Sequence, residues 1–361
     1  MKKVLILGGT GAMGKALVEL LDVNEYEIYV TSRKEHKSER VTYLCGNAHE
    51  LSFLSNILEL QEWDSIVDFM NYQMCEFEKI VDKVLPKTKQ YVFISSARAY
   101  APSDTLLSED SPRLLDVCTD MEYVSSNEYA LAKAREENLL FNSNYKNWTI
   151  VRPSLTYNDN RMQFALWDKE GWLYRALQDR SIVFPKNMLD VKTTMSHGLD
   201  VSRAIAKLMC NEKAFGEVVH IAGAKVVTWR EVLQIYSDAI KKSTGKDIKV
   251  HYIEDWQELS HKLGNYYQAK YARAISREFN SNKLYEIVGE MNFISPQEGL
   301  AECIEKFVAD GCKFHKISWR SEAILDRITG ENSIKDFCGM KEKAGYIIAR
   351  YVPFLLKILR R

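Results

Sequence analysis

Two stretches of the chain place a tyrosine four residues ahead of a lysine: EYALAK, with Tyr129 and Lys133, and YYQAK, with Tyr266 and Lys270. Residues four apart share a helix face, so each pair sets a phenol beside an ammonium. That is either a proton-transfer pair or a surface contact. A free phenol has a pKa of about 10 and is a sluggish acid–base at neutral pH. A neighbouring cation favours the phenolate and improves it. A third stretch, GGTGAMG, spaces Gly8, Gly11 and Gly14 as G-x-x-G-x-x-G. Glycines there let the backbone approach a pyrophosphate, and a helix N-terminus favours its charge. The turn residues Gly8, Thr10, Gly11, Ala12, Met13 and Gly14 are thus a candidate cofactor cradle. The bland alternative is a tight turn with no ligand.

These residues need elements to hold them. Short apolar runs at 4–7, 27–30, 41–44, 65–70, 91–95 and 149–151 read as strands. Stretches at 13–21, 51–60, 75–84 and the one carrying Tyr129 read as helices. Strands alternating with helices imply a parallel sheet covered on both faces, an α/β fold of the doubly wound Rossmann kind. The glycine turn then sits between the first strand and the first helix, where a dinucleotide site requires it. Beyond residue 152 the texture changes: 153–190 carries no clear strand periodicity, and 218–223 looks like a strand returning to the sheet. The expected organisation is a dinucleotide-binding domain at 1–152 with a return segment at about 191–225. A smaller, partly interleaved C-terminal substrate region follows at 153–190 and 226–310, with a helical basic tail at 311–361.

The end of the second strand chooses the cofactor. An acidic residue there would bond the ribose 2′-hydroxyl of NAD. This chain has Ser32 in that place and Arg33 after it. A guanidinium grips phosphate in a bidentate way, so NADP is favoured over NAD.

With 361 residues the chain has room for roughly two domains of about 150 residues each. Its 49 basic residues balance 49 acidic ones, which gives no global pull towards nucleic acid or an anionic membrane. Seven cysteines, at 45, 75, 118, 210, 303, 312 and 338, form no C-x-x-C and read as free thiols of a reducing compartment. The apolar N-terminal run stops too soon for a signal peptide, and no window of about 18 apolar residues appears. The expected location is the cytoplasm. The seven histidines show no ligand spacing, so no metal site is expected.

GGTGAMG, YVFISSARAY, YALAK, IVRPSLTY and SHGLDVSRAI occur in an order and spacing that resemble the extended short-chain dehydrogenase/reductases, the NAD-dependent epimerase/dehydratase family. The resemblance covers roughly residues 1–225. It implies that Tyr129 is the acid/base, that Lys133 tunes it and holds the nicotinamide ribose, and that Ser96 orients the reacting oxygen. Ser95 is the neighbouring alternative to Ser96. It demotes Tyr266 and Lys270 to a surface pair. It also implies cofactor contacts at Asn47, Met70, Asn71 and Pro153. Asn47 stands where the family often has Asp. Met70 and Asn71 replace small residues beside the cofactor. Ala97 and Arg98 replace the acidic pair of the sugar-nucleotide 4,6-dehydratases, which argues against a dehydratase. Leu155 stands where many sugar-nucleotide members have Asn. His197 and Asp200 match a family segment and read as structural.

The reading that follows is an NADP(H)-dependent oxidoreductase acting on the keto group of a nucleotide-activated sugar. A sugar-nucleotide epimerase that retains NAD is the alternative in the same fold, and a non-catalytic NADP-binding scaffold the alternative of another class. A homodimer is family habit. From 341 to 361 six basic residues face one acidic residue, beside the apolar YIIARYVPFLLKILRR. That tail reads as a helix docked on the protein's own body or a second subunit, with an amphipathic membrane contact as the rival.

Overall fold

A computed structural model of the chain describes residues 1–223 and 225–354. Two compact units divide it: 1–156, 194–226 and 277–295 form the first, and 157–193, 227–276 and the chain from 296 onward form the second.

In the first unit, β1 (Lys2–Leu7), β2 (Tyr26–Ser32), β3 (Val41–Cys45), β4 (Ser65–Asp68), β5 (Tyr91–Ile94), β6 (Trp148–Pro153) and β7 (Glu217–Ile221) make one seven-stranded sheet. Its order is β7-β6-β5-β4-β1-β2-β3, and the neighbours pair in parallel. The central strands are continuous apolar runs because both faces are covered. Along β1, Val4 and Ile6 join one core cluster with Leu17 and Val30, while Leu5 and Leu7 join another with Leu54, Ile66 and Phe77. That is the period-two alternation of a strand buried on both sides.

Helices α1 (Ala12–Leu20) and α5 (Gly198–Leu208) cover the first face, and α2 (Leu51–Leu58), α3 (Met74–Val84) and α4 (Tyr129–Phe141) belong to the second. The strand order reverses between β1 and β4. A ligand crevice opens outside the carboxyl ends of the strands at such a reversal. The segment 277–295, placed with the substrate region by sequence, packs inside this unit. Its helix α6 (Asn282–Val288) puts Leu284 into the β1 core cluster.

The second unit holds the strands Ile182–Pro185 and Val250–Ile253, paired in parallel, and the packed helices Trp229–Thr244 and Pro296–Ala309. A strand at Ile182–Pro185 and a helix at Lys169–Leu177 lie where the sequence shows no strand periodicity; four residues are too few to register one. Phe164, Phe184, Trp172, Trp229 and Tyr236 form an aromatic core. Tyr266 stacks on His261 at 3.8 Å, and Lys270 lies 5.8 Å from the Tyr266 ring. Both residues are half-buried, so this pair is a packing contact rather than the expected surface one.

The tail helix Met340–Tyr351 lies on the helix Trp319–Thr329. Gly345 lets it approach: an added Cβ would sit 2.9 Å from the Trp319 ring. The buried Tyr346 hydroxyl donates to Asp326 Oδ2 at 2.6 Å. Of the two sequence readings, the docked helix matches what the described residues do. Residues 355–361, the most basic part of the tail, lie outside them. No helix among the described residues is long and apolar enough to cross a membrane.

Candidate active site

The glycine turn follows β1 directly. Gly8 has φ of +71°, a conformation that disfavours side chains, and its N–H donates to Thr31 Oγ1 at 3.1 Å. The Gly11 N–H returns to the Gly8 carbonyl at 3.1 Å. A Cβ on Gly14 would lie 2.6 Å from Gly9 Cα, so α1 rests on the turn itself. Gly11 caps α1 without a side-chain bond, and the first helical turn holds no carboxylate. Its orphan N–H groups are therefore open to an anion. Thr10 and Gly11 are exposed, Met13 is half-buried, and Ala12 is the first helical residue.

The other expected cofactor residues surround the same strand ends. Ser32 is buried; its Oγ accepts the Lys34 N–H at 3.1 Å and lies 3.0 Å from His36 Nε2. Arg33 is exposed. Asn47 Oδ1 accepts the His49 N–H at 3.3 Å. Met70 leans over the turn, with its Sδ 3.0 Å from where a Gly8 Cβ would be. Asn71 is exposed, and Pro153 is buried at the end of β6 beside Ile221.

Ser96 and Ser95 face opposite ways, as successive residues leaving a strand do. Ser95 donates to the buried Glu137 at 2.5 Å. Arg152 grips the same carboxylate with two bonds, of 2.8 and 2.7 Å, and Arg113 adds a third at 3.2 Å. Ser95 thus belongs to a buried bracket between β5, β6 and α4. Ser96 instead caps a single 3₁₀ turn, Ala97–Ala99, and its Oγ accepts the Arg98 N–H at 3.2 Å. Its own hydroxyl hydrogen is left to donate.

Tyr129 is the first residue of α4 and is 40% exposed. The Arg98 guanidinium lies 5.3 Å from its ring centre. Glu128 caps α4 by accepting the Ala130 N–H at 2.8 Å, takes the Tyr123 hydroxyl at 3.1 Å, and pairs with Arg98. Ser96 and Tyr129 are therefore joined through residue 98.

Lys133, one turn further along α4, is buried. Its Nζ is 2.9 Å from Glu136 Oε2 and 4.6 Å from the Phe93 ring centre. The approach to Glu136 is misaligned, and Nζ has no hydrogen-bond partner among the described residues. Burial pushes the Glu136 carboxyl up, against the pull of Lys133. Asp68, at the end of β4, is also pushed up by burial, although the Tyr91 and Tyr72 hydroxyls and the Met70 N–H all donate to it. Lys133 is thus flanked by carboxylates instead of being bonded to Tyr129.

His197 caps α5 by accepting the Leu199 N–H at 3.1 Å, and buried Asp200 accepts the Ile294 N–H at 2.7 Å. Both hold the fold together. Sequence reasoning passed over Glu128, Glu136 and Asp68, and used Arg98 only to argue against a dehydratase. The i,i+3 spacing of Lys133 and Glu136 was the available signal.

No protein-family model matches the chain. Among curated proteins it is 26% identical over 245 residues to the chloroplast stem-loop binding protein of 41 kDa b of Arabidopsis thaliana. That match takes in 63% of this chain, which spans only 60% of the relative's length. Among solved structures it superposes on the Bordetella bronchiseptica enzyme WbmH in complex with NAD+ with a TM-score of 0.65 and 15% identity, over 86% of this chain and 99% of that one. The chain has the fold of the extended short-chain dehydrogenase/reductases. UDP-glucuronic acid 4-epimerase of Bacillus cereus, solved with UDP-glucuronic acid and NAD, matches this epimerase/dehydratase fold equally well, with a TM-score of 0.63 at 14% identity over 84% and 99% of the two chains.

Proposed function

We propose that the chain is an NADP(H)-linked oxidoreductase that reduces a keto group on a nucleotide-activated sugar. The observation that carries this reading is Lys133, a buried ammonium whose ion pair with Glu136 leaves N–H donors over, on the helix that begins with the open phenol of Tyr129. Buried polar groups are normally satisfied, so donors left over on a buried ammonium, one helical turn from an open phenol, suit the hydroxyls of a ligand.

The residues present fit a dinucleotide. Gly8, Gly11 and the free N–H groups of α1 suit a pyrophosphate, and Lys133 suits ribose hydroxyls. Ser32 in place of an acid and the exposed Arg33 favour a 2′-phosphate. A reduced nicotinamide, when bound, supplies hydride. Tyr129 then donates its hydroxyl proton to the oxygen of the reduced carbonyl, and Ser96 donates a hydrogen bond to that oxygen as charge develops on it.

The test is Tyr129→Phe, assayed with NADPH and a panel of keto-sugar nucleotides. General acid catalysis contributes about 10²–10⁴ in rate, and a loss of that size is expected. Turnover at the wild-type rate would remove Tyr129 from the mechanism. The NAD held by the solved neighbours favours the epimerase as a second reading, and tightly bound NAD surviving gel filtration would establish it over the reductase. The name of the curated relative favours a reading of another class, a dinucleotide-fold protein that binds RNA without turnover. Retention of a stem-loop RNA on filters, with no turnover of any keto sugar, would support that one.

A further inference from the structure

The turn that carries Ser96 bears more positive charge than the reduction needs. Arg277, from the segment returning to the first unit, donates Nη1 to the Ala97 carbonyl at 2.9 Å and Nη2 to the Tyr100 carbonyl at 2.8 Å. Arg98 projects from the middle of the same turn. Two guanidiniums therefore bracket one 3₁₀ turn immediately after the serine, and that of Arg98 lies over the Tyr129 ring. Like charges this close oppose each other: burial and the charge of Arg98 pull the Arg277 guanidinium down to about 10, so it stays charged at neutral pH.

Glu128 does not exhaust this charge. It engages Arg98 through Nη2, while its oxygens also take the Ala130 N–H and the Tyr123 hydroxyl. Arg98 Nε is buried and has no hydrogen-bond partner among the described residues, while 21% of the side chain as a whole is open. A guanidinium offers five donors, and Glu128 leaves several of them unused.

We propose that Arg98, backed by Arg277, selects a substrate with a carboxylate on the carbon next to the reacting centre: a nucleotide-activated hexuronic acid rather than a neutral hexose. The proposal rests on the oxidoreductase reading of Ser96 and Tyr129. The place of Arg98 sets the position of the anion. Its guanidinium lies 5.3 Å from the centre of the Tyr129 ring, so a group hydrogen-bonded to it at roughly 3 Å is held in the neighbourhood of that residue. We therefore assign the anion to a substituent of the sugar ring near the reacting oxygen and not to the nucleotide diphosphate. A planar fork also matches a carboxylate better than an ammonium would.

The test is calorimetric titration of the full chain, with saturating NADP+, using UDP-glucuronic acid and UDP-glucose. These differ at one carbon, as carboxylate against hydroxymethyl. A charge-assisted bond predicts that the acid binds about tenfold or more tighter. In Arg98→Gln that ratio falls to near one, and Arg98→Lys, which keeps the charge without the fork, gives an intermediate ratio. Thermal melts verify that each variant is folded. Equal binding of both sugars by the wild type overturns the proposal and leaves the oxidoreductase reading standing. So does a preference that survives Arg98→Gln, or a variant that loses affinity for both sugars equally, which would put Arg98 on the diphosphate. Binding of neither sugar overturns the nucleotide-sugar reading and this proposal with it.

Discussion

Two arginines, one from each unit, show how the same side chain serves different ends. Arg175 of the second unit is fully buried, and every nitrogen has a partner. Nε donates to the Ser181 carbonyl at 2.8 Å, Nη1 to Glu322 at 2.8 Å and Asp326 at 2.9 Å, and Nη2 to Glu331 at 2.7 Å. Arg98 of the first unit is partly open, lies on an aromatic ring and keeps an unused Nε. A guanidinium closed on all sides fixes a fold, because its charge is costly to bury and is held only by complete pairing. One left open beside a phenol and a serine has capacity for something the chain does not supply.

The comparison breaks first on stability. Replacing Arg175 by Met leaves Glu322 and Asp326 buried without their shared cation, and breaking a buried pair in this way costs about 3–5 kcal/mol. Arg98→Met removes a partly exposed partner from a carboxylate that keeps two other donors, and a loss of about 1 kcal/mol is expected. Urea denaturation of the two variants measures both. Equal losses would erase the distinction between a structural and a ligand-facing arginine.

Much of this was legible in the sequence, for reasons that particular residues make plain. The run VLIL could only be a strand buried on both faces, and G-x-x-G-x-x-G between it and an amphipathic segment placed the turn where Gly14 now touches Gly9. The family resemblance singles out Ser96 by its place four residues before Tyr100, strand alternation turns Ser95 the other way, and the structure puts Ser95 on Glu137. What stayed hidden depends on contacts distant in sequence. Nothing in ISREFN says that Arg277 reaches back to the carbonyls of Ala97 and Tyr100, or that α6 belongs to the β1 core. The charge network of the second unit joins Arg175 to residues about 150 positions away, and no local period encodes that.

The two units also differ in how they respond to acid. In the first, His220 is buried, hydrogen-bonded to Tyr100 through Nδ1 and to the Asn280 carbonyl through Nε2. Burial lowers it from 6.5 to about 4, with Arg152 and Lys283 assisting. A depressed histidine stabilises the fold above its unfolded pKa, and that contribution is lost as pH falls from 6.5 through 4. The loss approaches about 3 kcal/mol, less whatever nearby Glu109, which burial shifts upward, returns on protonation.

In the second unit, Glu322, Asp326, Glu331 and Asp336 share Arg175 and Arg180, and burial pushes Glu322 up to about 7. A raised carboxyl stabilises the fold below its unfolded pKa of 4.5, and that contribution disappears as pH rises through 7. Native-state amide exchange at pH 7 and pH 5, corrected for intrinsic rates, should show protection falling along β7 and rising along Trp319–Thr329. Parallel changes in both would refute the opposite assignments.

The smallest expected effect sharpens the comparison at two glycines. Gly14 of the first unit needs to be glycine for space, since a Cβ would lie 2.6 Å from backbone that cannot move aside. Gly245, which ends the helix Trp229–Thr244 in the second unit, needs it for conformation, with φ of +73° and nothing within 4 Å of an added Cβ. Overpacking costs about 1–3 kcal/mol and a forced left-handed residue about 1 kcal/mol, so Ala at either position lowers the melting temperature modestly. The two variants part on ligand. Gly14→Ala pushes α1 off the turn and withdraws its N–H groups, so NADPH affinity, read by fluorescence titration, falls with stability. Gly245→Ala touches no element of the cradle and leaves that affinity unchanged. A Gly14→Ala protein that melts lower but binds NADPH like the wild type would mean that the close contact at Gly9 serves packing alone, and the glycine turn would lose its claim to the cofactor.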